Sequence, residues 1–199
     1  MERVVRLETL KNTSIPQVFK ERTWMKLLNP SGNVYEEIIW EFFSNAIVDR
    51  DHIKYWVQHK EFVITRDSIQ EFLEVCPPSQ SITIQYDDRL DSLEPIGELL
   101  RGSLKKNSMN TIPFNGEMRI LAYVMIHNLY LVTNLTTLSR LKTIFLYDLY
   151  THKEIDICGH IYHLQTKSIT KRNTRTIIPF PTEVSKRSYH CAKGLSHWC

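Results

Sequence analysis

Between Pro113 and Leu164 the chain runs PFNGEMRILAYVMIHNLYLVTNLTTLSRLKTIFLYDLYTHKEIDICGHIYHL, three helix-period apolar segments in succession joined by short breaks. No other region holds as much side chain of the kind that proteins bury. Met118, Leu121, Ala122, Met125 and Leu129 recur at the spacing of one helix face. Ile120, Val124 and Tyr130 widen that face until the helix reads as apolar almost all round, and therefore central. Asn115 is placed to cap it, with Glu117 in its first turn. After a break at Asn134 and Thr136 or Thr137, a second helix aligns Leu138, Leu141, Phe145 and Leu149. A third starts near Glu154 or Asp156 and turns Ile157, Ile161 and Leu164 inward. One buried side chain of this kind contributes roughly 1.5–3 kcal/mol. A dozen across three helices can hold a core against chain entropy.

The remaining residues are read around that core. Residues 1–13 mix charge and apolar side chains without a period and read as a flexible lead-in. Met1–Asn12 has no long apolar run, so no secretory leader is expected there. Ile15–Leu28 reads as one helix, with Pro16 tolerated in the first turn and NPSG at 29–32 as its stop. Asn33 can cap a second helix, VYEEIIWEFFSNAIV, with Val34, Ile38, Phe42 and Ala46 in a stripe beside Tyr35, Ile39 and Phe43. Glu36, Glu37 and Glu41 lie toward its start and partly on the other face. Within residues 53–65 the period changes: Tyr55, Val57, Phe62 and Ile64 flank His59-Lys60 and predict a small β-hairpin. Asp67 and Gln70 have capping-box spacing ahead of Ile69, Phe72 and Leu73, and the prolines of CPPSQ end that helix. In residues 79–112, SITIQYDD is compatible with extended chain. EPIGELLRG reads as a short helical turn stopped by Gly102, and KKNSMN as an exposed loop. The expected architecture is mainly α: a compact helical bundle-like domain over 14–182, a small β-hairpin near 53–65, and an irregular tail over 183–199.

Composition limits the function classes. Apolar residues make up 42 % and charged residues 24 %, with only 6 glycines, as in a globular chain. A net charge of +3 is too small to imply nucleic acid by itself. No run reaches the roughly 18 apolar residues of a membrane span. The four cysteines, at 76, 158, 191 and 199, are read as free thiols of an intracellular protein.

The candidate chemistry is thin. Tyr86-Asp87-Asp88 lacks the spacer and third carboxylate of a polymerase magnesium site and reads as a solvated loop. Neither Asp67-Ser68-Ile69 nor Asp91-Ser92-Leu93 fits an aspartic protease, and no glycine-rich phosphate loop is present. His190, Cys191, His197 and Cys199 fall within ten residues, without the paired loop spacing of a zinc module. His160 and His163, near Cys158, sit at i, i+3, which suits a partly buried polar edge better than a metal pair. No cofactor, metal or catalytic residue is therefore expected. The best functional candidate is the cationic run Lys167, Lys171, Arg172 and Arg175, which can contact phosphates but lacks interleaved aromatics for base stacking.

Five stretches, in their order and spacing, carry a family resemblance: VYEEIIWEFFSNA (34–46), VQHK followed by DSIQEFLEV (57–75), PFNGEMRILAYVMIHNLY (113–130), LSRLKTIFLYDLYTHKEIDICGHIYH (138–163) and PFPTEV (179–184). Over about three quarters of its length the chain resembles the plant transposon protein domain of retrotransposon-derived plant reading frames and their domesticated relatives. Two departures stand out. The family has Arg-Gly-Lys where this chain has Gln58-His59-Lys60, which removes the residue best suited to a tight turn. After PFP the family continues as an apolar helix, which Glu183, Ser185 and Lys186 interrupt, as in a degenerate C-terminus.

The resemblance implies a mostly helical domain linked to mobile elements, with no catalytic residues to transfer. The function expected is a non-enzymatic protein-interaction or assembly module, partnered by itself or by another retroelement or host protein. The alternative is an accessory nucleic-acid-binding domain using 167–175.

Overall fold

A computed structural model of the chain describes residues 7–28, 35–76, 78, 94–100, 103–105, 108–130 and 136–170. Within them the chain is mainly α but mixed. Two antiparallel three-stranded sheets stand among eight short α-helices, so the expectation of a helical bundle is corrected. The helices are 4 to 14 residues long, too short to align as a bundle, and the sheets close the core between them.

In the stretch read as a lead-in, Leu7–Leu10 forms a 3-10 turn, and Leu10 packs on the core. The helix expected over Ile15–Leu28 is two, α1 (Ile15–Glu21) and α2 (Met25–Leu28), divided at Thr23, whose φ is 58°. The bend lets Phe19 and Trp24 meet edge to face at 6.3 Å. Pro16 does occupy the first turn.

α3 (Glu36–Asn45) starts behind an extended Tyr35; the cap expected at Asn33 lies outside the described residues. It also ends three residues earlier than the apolar stripe suggests, because Ile47–Asp49 is strand β1. β1 pairs with β2 (His52–Val57), and β2 with β3 (Lys60–Thr65), in a meander that places the predicted hairpin inside a three-stranded sheet. Ile53, Tyr55 and Val57 alternate into the core, where Phe42 meets Tyr55 edge to face at 4.8 Å.

The antiparallel β1–β2 register sets Ile47 opposite Lys54; two residues before the one and two after the other, Asn45 falls opposite Trp56. Asn45 is helical, yet its side chain performs the missing strand's pairing. Its Nδ2 donates to the Trp56 carbonyl and its Oδ1 accepts from the Trp56 N–H, both at 2.8 Å. Asn45→Ala should therefore cost about 1–2 kcal/mol, two modest hydrogen bonds at a half-buried edge. A lowered urea midpoint with unchanged m-value is the expected result.

The hairpin turn Gln58-His59 has φ of 50° and 63°. Both central residues are thus positive, as in type I′ turns, which favour Asn-Gly. The two-residue turn forms without glycine, and left-handed strain is its cost. Replacing Gln58-His59 by Asn-Gly should stabilise the domain by about 1 kcal/mol after glycine's extra chain entropy is deducted. Thermal melting should rise by roughly 2–4 °C.

α4 (Arg66–Leu73) is capped by Thr65 rather than Asp67. The Thr65 hydroxyl accepts from the Ser68 N–H at 3.1 Å, and Ser68 Oγ accepts from the Thr65 N–H at 2.8 Å. The capping box thus starts two residues before the expected one. α5 (Glu94–Leu100) matches the predicted helical turn. β4 (Ser103–Lys105) and β5 (Ser108–Asn110) form the second sheet with β6 (Thr137–Ser139), so the KKNSMN stretch read as an exposed loop holds the last residue of β4 and all of β5. Met109 and Leu138 face each other there, both fully buried, so Leu138 belongs to a strand and not to the following helix.

α6 (Gly116–Met125) is capped as expected: Asn115 Oδ1 accepts from the Met118 N–H at 2.7 Å. Its inward face is the predicted one, but Ile120 is 36 % and Tyr123 39 % exposed, so the helix lies at the side of the core and not wholly within it. It widens into a π turn, Ile126–Tyr130, before α7 (Arg140–Tyr150) and α8 (Ile157–Thr170).

Candidate functional site

Two groups of polar side chains are assembled by packing. The first is built on Phe145 of α7. Trp24 stacks against it at 6.3 Å, Tyr130 meets it edge to face at 6.1 Å, and the His160 ring tilts over it at 4.6 Å. Tyr130 and His160 then share a hydrogen bond, hydroxyl to Nε2, at 2.8 Å. The π turn matters here. The extra residue in its last coil advances Tyr130 to reach α8, and wide turns of this kind often serve such local re-aiming. His160 is 1 % exposed, and burial, with a smaller push from His163, lowers its pKa from the ordinary 6.5 to about 3. It is a neutral imidazole at physiological pH, suited to hydrogen bonding inside the core. Lys142 lies with its Nζ 5.1 Å from the Tyr130 ring, and burial lowers its pKa too.

The second group anchors the start of α8. Asp156 Oδ1 accepts the Gly159 N–H at 2.9 Å, a helix cap, while Oδ2 meets Arg66 of α4 at 2.7 Å. One carboxylate thus closes the helix end and ties α8 to α4. Nearby, Arg22 donates to the Lys153 carbonyl at 2.7 Å and lies 5.2 Å from the Trp24 ring. Burial lowers the Arg22 pKa against the pull of Asp148, Glu21 and Glu154. These residues border a cleft of about 270 Å³ lined by Glu21, Arg22, Trp24, Cys76 and Glu154. Glu21 there accepts from Gln17 and lies 3.8 Å from His152.

Of the sequence-predicted site residues, Lys167 is half-buried in the last turn of α8. Lys171, Arg172 and Arg175 lie outside the described residues, as do Tyr86-Asp87-Asp88 and the His190–Cys199 group. His160 and His163 share a helix but not a surface: one is inside and the other exposed. Among the described residues no cluster of three His, Cys, Asp or Glu could hold a metal ion. No described helix is long and apolar enough to cross a membrane.

Sequence reasoning missed Trp40, which stands 69 % exposed on α3. Its helical phase was the available signal: it falls outside the apolar stripe and shares the polar face with Glu36 and Glu37. The Arg66–Asp156 tie had no such signal, since the partners are ninety residues apart in the sequence.

Among the described residues the fold is that of a small, mainly α domain with two antiparallel sheets around a hydrophobic core that encloses a few polar side chains. The profile of the family described as "Putative plant retrotransposon-related domain" matches residues 20–186, and the chain belongs to that family. No curated protein and no solved structure matches the chain.

Proposed function

We propose that this member of a retrotransposon-related family is a non-enzymatic protein-interaction and assembly domain, acting on itself or on another retroelement or host protein. The supporting observation is Trp40. Tryptophan is among the most buried residues on average, and an indole left in water on a rigid helix is a common anchor of protein interfaces. Here it stands 69 % exposed while the opposite face of α3, Ile39 and Phe42, is sealed in the core. The inward-facing ionisable groups are engaged in holding helices together: His160 with Tyr130, and Asp156 with Arg66.

Light scattering across a concentration series, together with affinity capture on the purified chain, tests the reading. Association with itself or with a defined partner is expected. A strict monomer that captures nothing would end it.

A further inference from the structure

We propose that the outer face of α3, centred on Trp40, docks the Lys167–Arg175 segment of a second copy of this chain; the inference rests on the assembly reading above. Glu36 and Glu37 lie four and three residues before Trp40, so all three project from one side of the helix, and both carboxylates are exposed. Glu41 is engaged differently, accepting the Gln58 N–H at 2.8 Å. An indole face flanked by two carboxylates selects a cation on a flexible stem. The ring attracts ammonium or guanidinium through its quadrupole, and the acids add charge-assisted hydrogen bonds.

The complementary chemistry is in the same sequence. Residues 167–175 read KSITKRNTR, four cations without an acid, beginning in the last turn of α8. A cationic segment on one copy and an acidic indole face on the next make a head-to-tail contact. Association of this kind is steered by charge and weakened by salt.

Sedimentation velocity on the full chain, at low and high salt, is the test. Wild type is expected to associate at low salt and to dissociate at high salt. Trp40→Ala, an exposed substitution whose fold is checked by circular dichroism, should weaken association roughly 3- to 30-fold. Glu36→Lys with Glu37→Lys should abolish it, and so should Lys171→Glu with Arg172→Glu and Arg175→Glu. Mixing those two variants in one buffer should leave each unable to self-associate yet able to pair with the other through the surfaces each retains. Wild-type association that ignores all of these changes overturns this interface while leaving the assembly reading intact. A wild-type chain that stays monomeric and captures no partner removes both. If Lys171→Gln, Arg172→Gln and Arg175→Gln together abolish binding to a DNA or RNA oligonucleotide but leave self-association unchanged, the segment serves nucleic acid and the docking proposal is wrong.

Discussion

Replacing Gly159 by alanine is expected to lower the unfolding free energy by about 3 kcal/mol, although alanine is the better helix former. The reason is geometric. A Cβ at position 159 would stand 2.0 Å from Asp156 Oδ2 and 2.8 Å from its Cγ. The carboxylate cannot yield without releasing Arg66 and the Gly159 N–H together. Loss of the helix cap accounts for about 1 kcal/mol. The greater share comes from a carboxylate only 6 % exposed losing its guanidinium partner. Arg66 is itself 41 % exposed, which keeps the total near the lower end of what a broken buried pair costs. Melting should fall by roughly 6–12 °C. Gly116→Ala is the control: a Cβ there meets nothing within 4 Å, and little change is expected. Equal melting temperatures for the two variants would contradict the packing described for Asp156.

The second large effect is on acid stability. In the folded chain the His160 pKa is about 3, against an ordinary 6.5 in the unfolded chain. Between those values the unfolded chain holds a proton that the folded chain does not, so protonation favours unfolding. Stability is therefore fully present above the unfolded value and falls as pH drops through the window, by about 1.4 kcal/mol per pH unit. From pH 6.5, where the unfolded imidazole is already half protonated, to pH 4.5 that amounts to about 2 kcal/mol. His160→Gln should flatten this slope, at the cost of disturbing the bond to Tyr130. Urea titrations of both proteins over that range give the comparison, and parallel slopes would rule out the assigned burial of His160. Glu117 acts lower in pH. Its carboxylate accepts the Ser14 N–H at 2.5 Å and is held below its ordinary 4.5, so its contribution is present above that value and is lost as pH falls beneath it.

What could be read in the sequence follows from the range of the forces involved. The hairpin near 53–65 was legible because alternation of Tyr55 and Val57, then of Phe62 and Ile64, is a local pattern. Asn115 was legible as a cap because capping spans three residues. The Tyr130–His160 bond was not. His160 could be phased onto α8 beside Ile157 and Ile161, but its partner lies thirty residues away and is aimed by a π turn that no periodicity announces. The second sheet stayed hidden for a related reason: its strands are three residues each, too short to show a period of two, and they exist only because β5 finds β4 and β6. Trp40 was half legible, since helical phase puts it on the polar face while its residue type suggests the core.

By itself the sequence determined that this chain would be mainly helical, that Pro113–Leu164 would form much of the core, and that the family was retrotransposon-related. Each of these rests on apolar spacing and motif order, which are properties of neighbours along the chain. The tertiary structure alone decided where helices stop and strands begin. Ile47 and Val48 continue the apolar stripe of α3, yet they leave the helix because Asn45 pairs with the backbone of Trp56, eleven residues on. A hydrogen bond between distant segments can override local propensity because propensities are worth only tenths of a kcal/mol per residue. For the same reason, which polar groups meet at Asp156 and His160 was settled by packing.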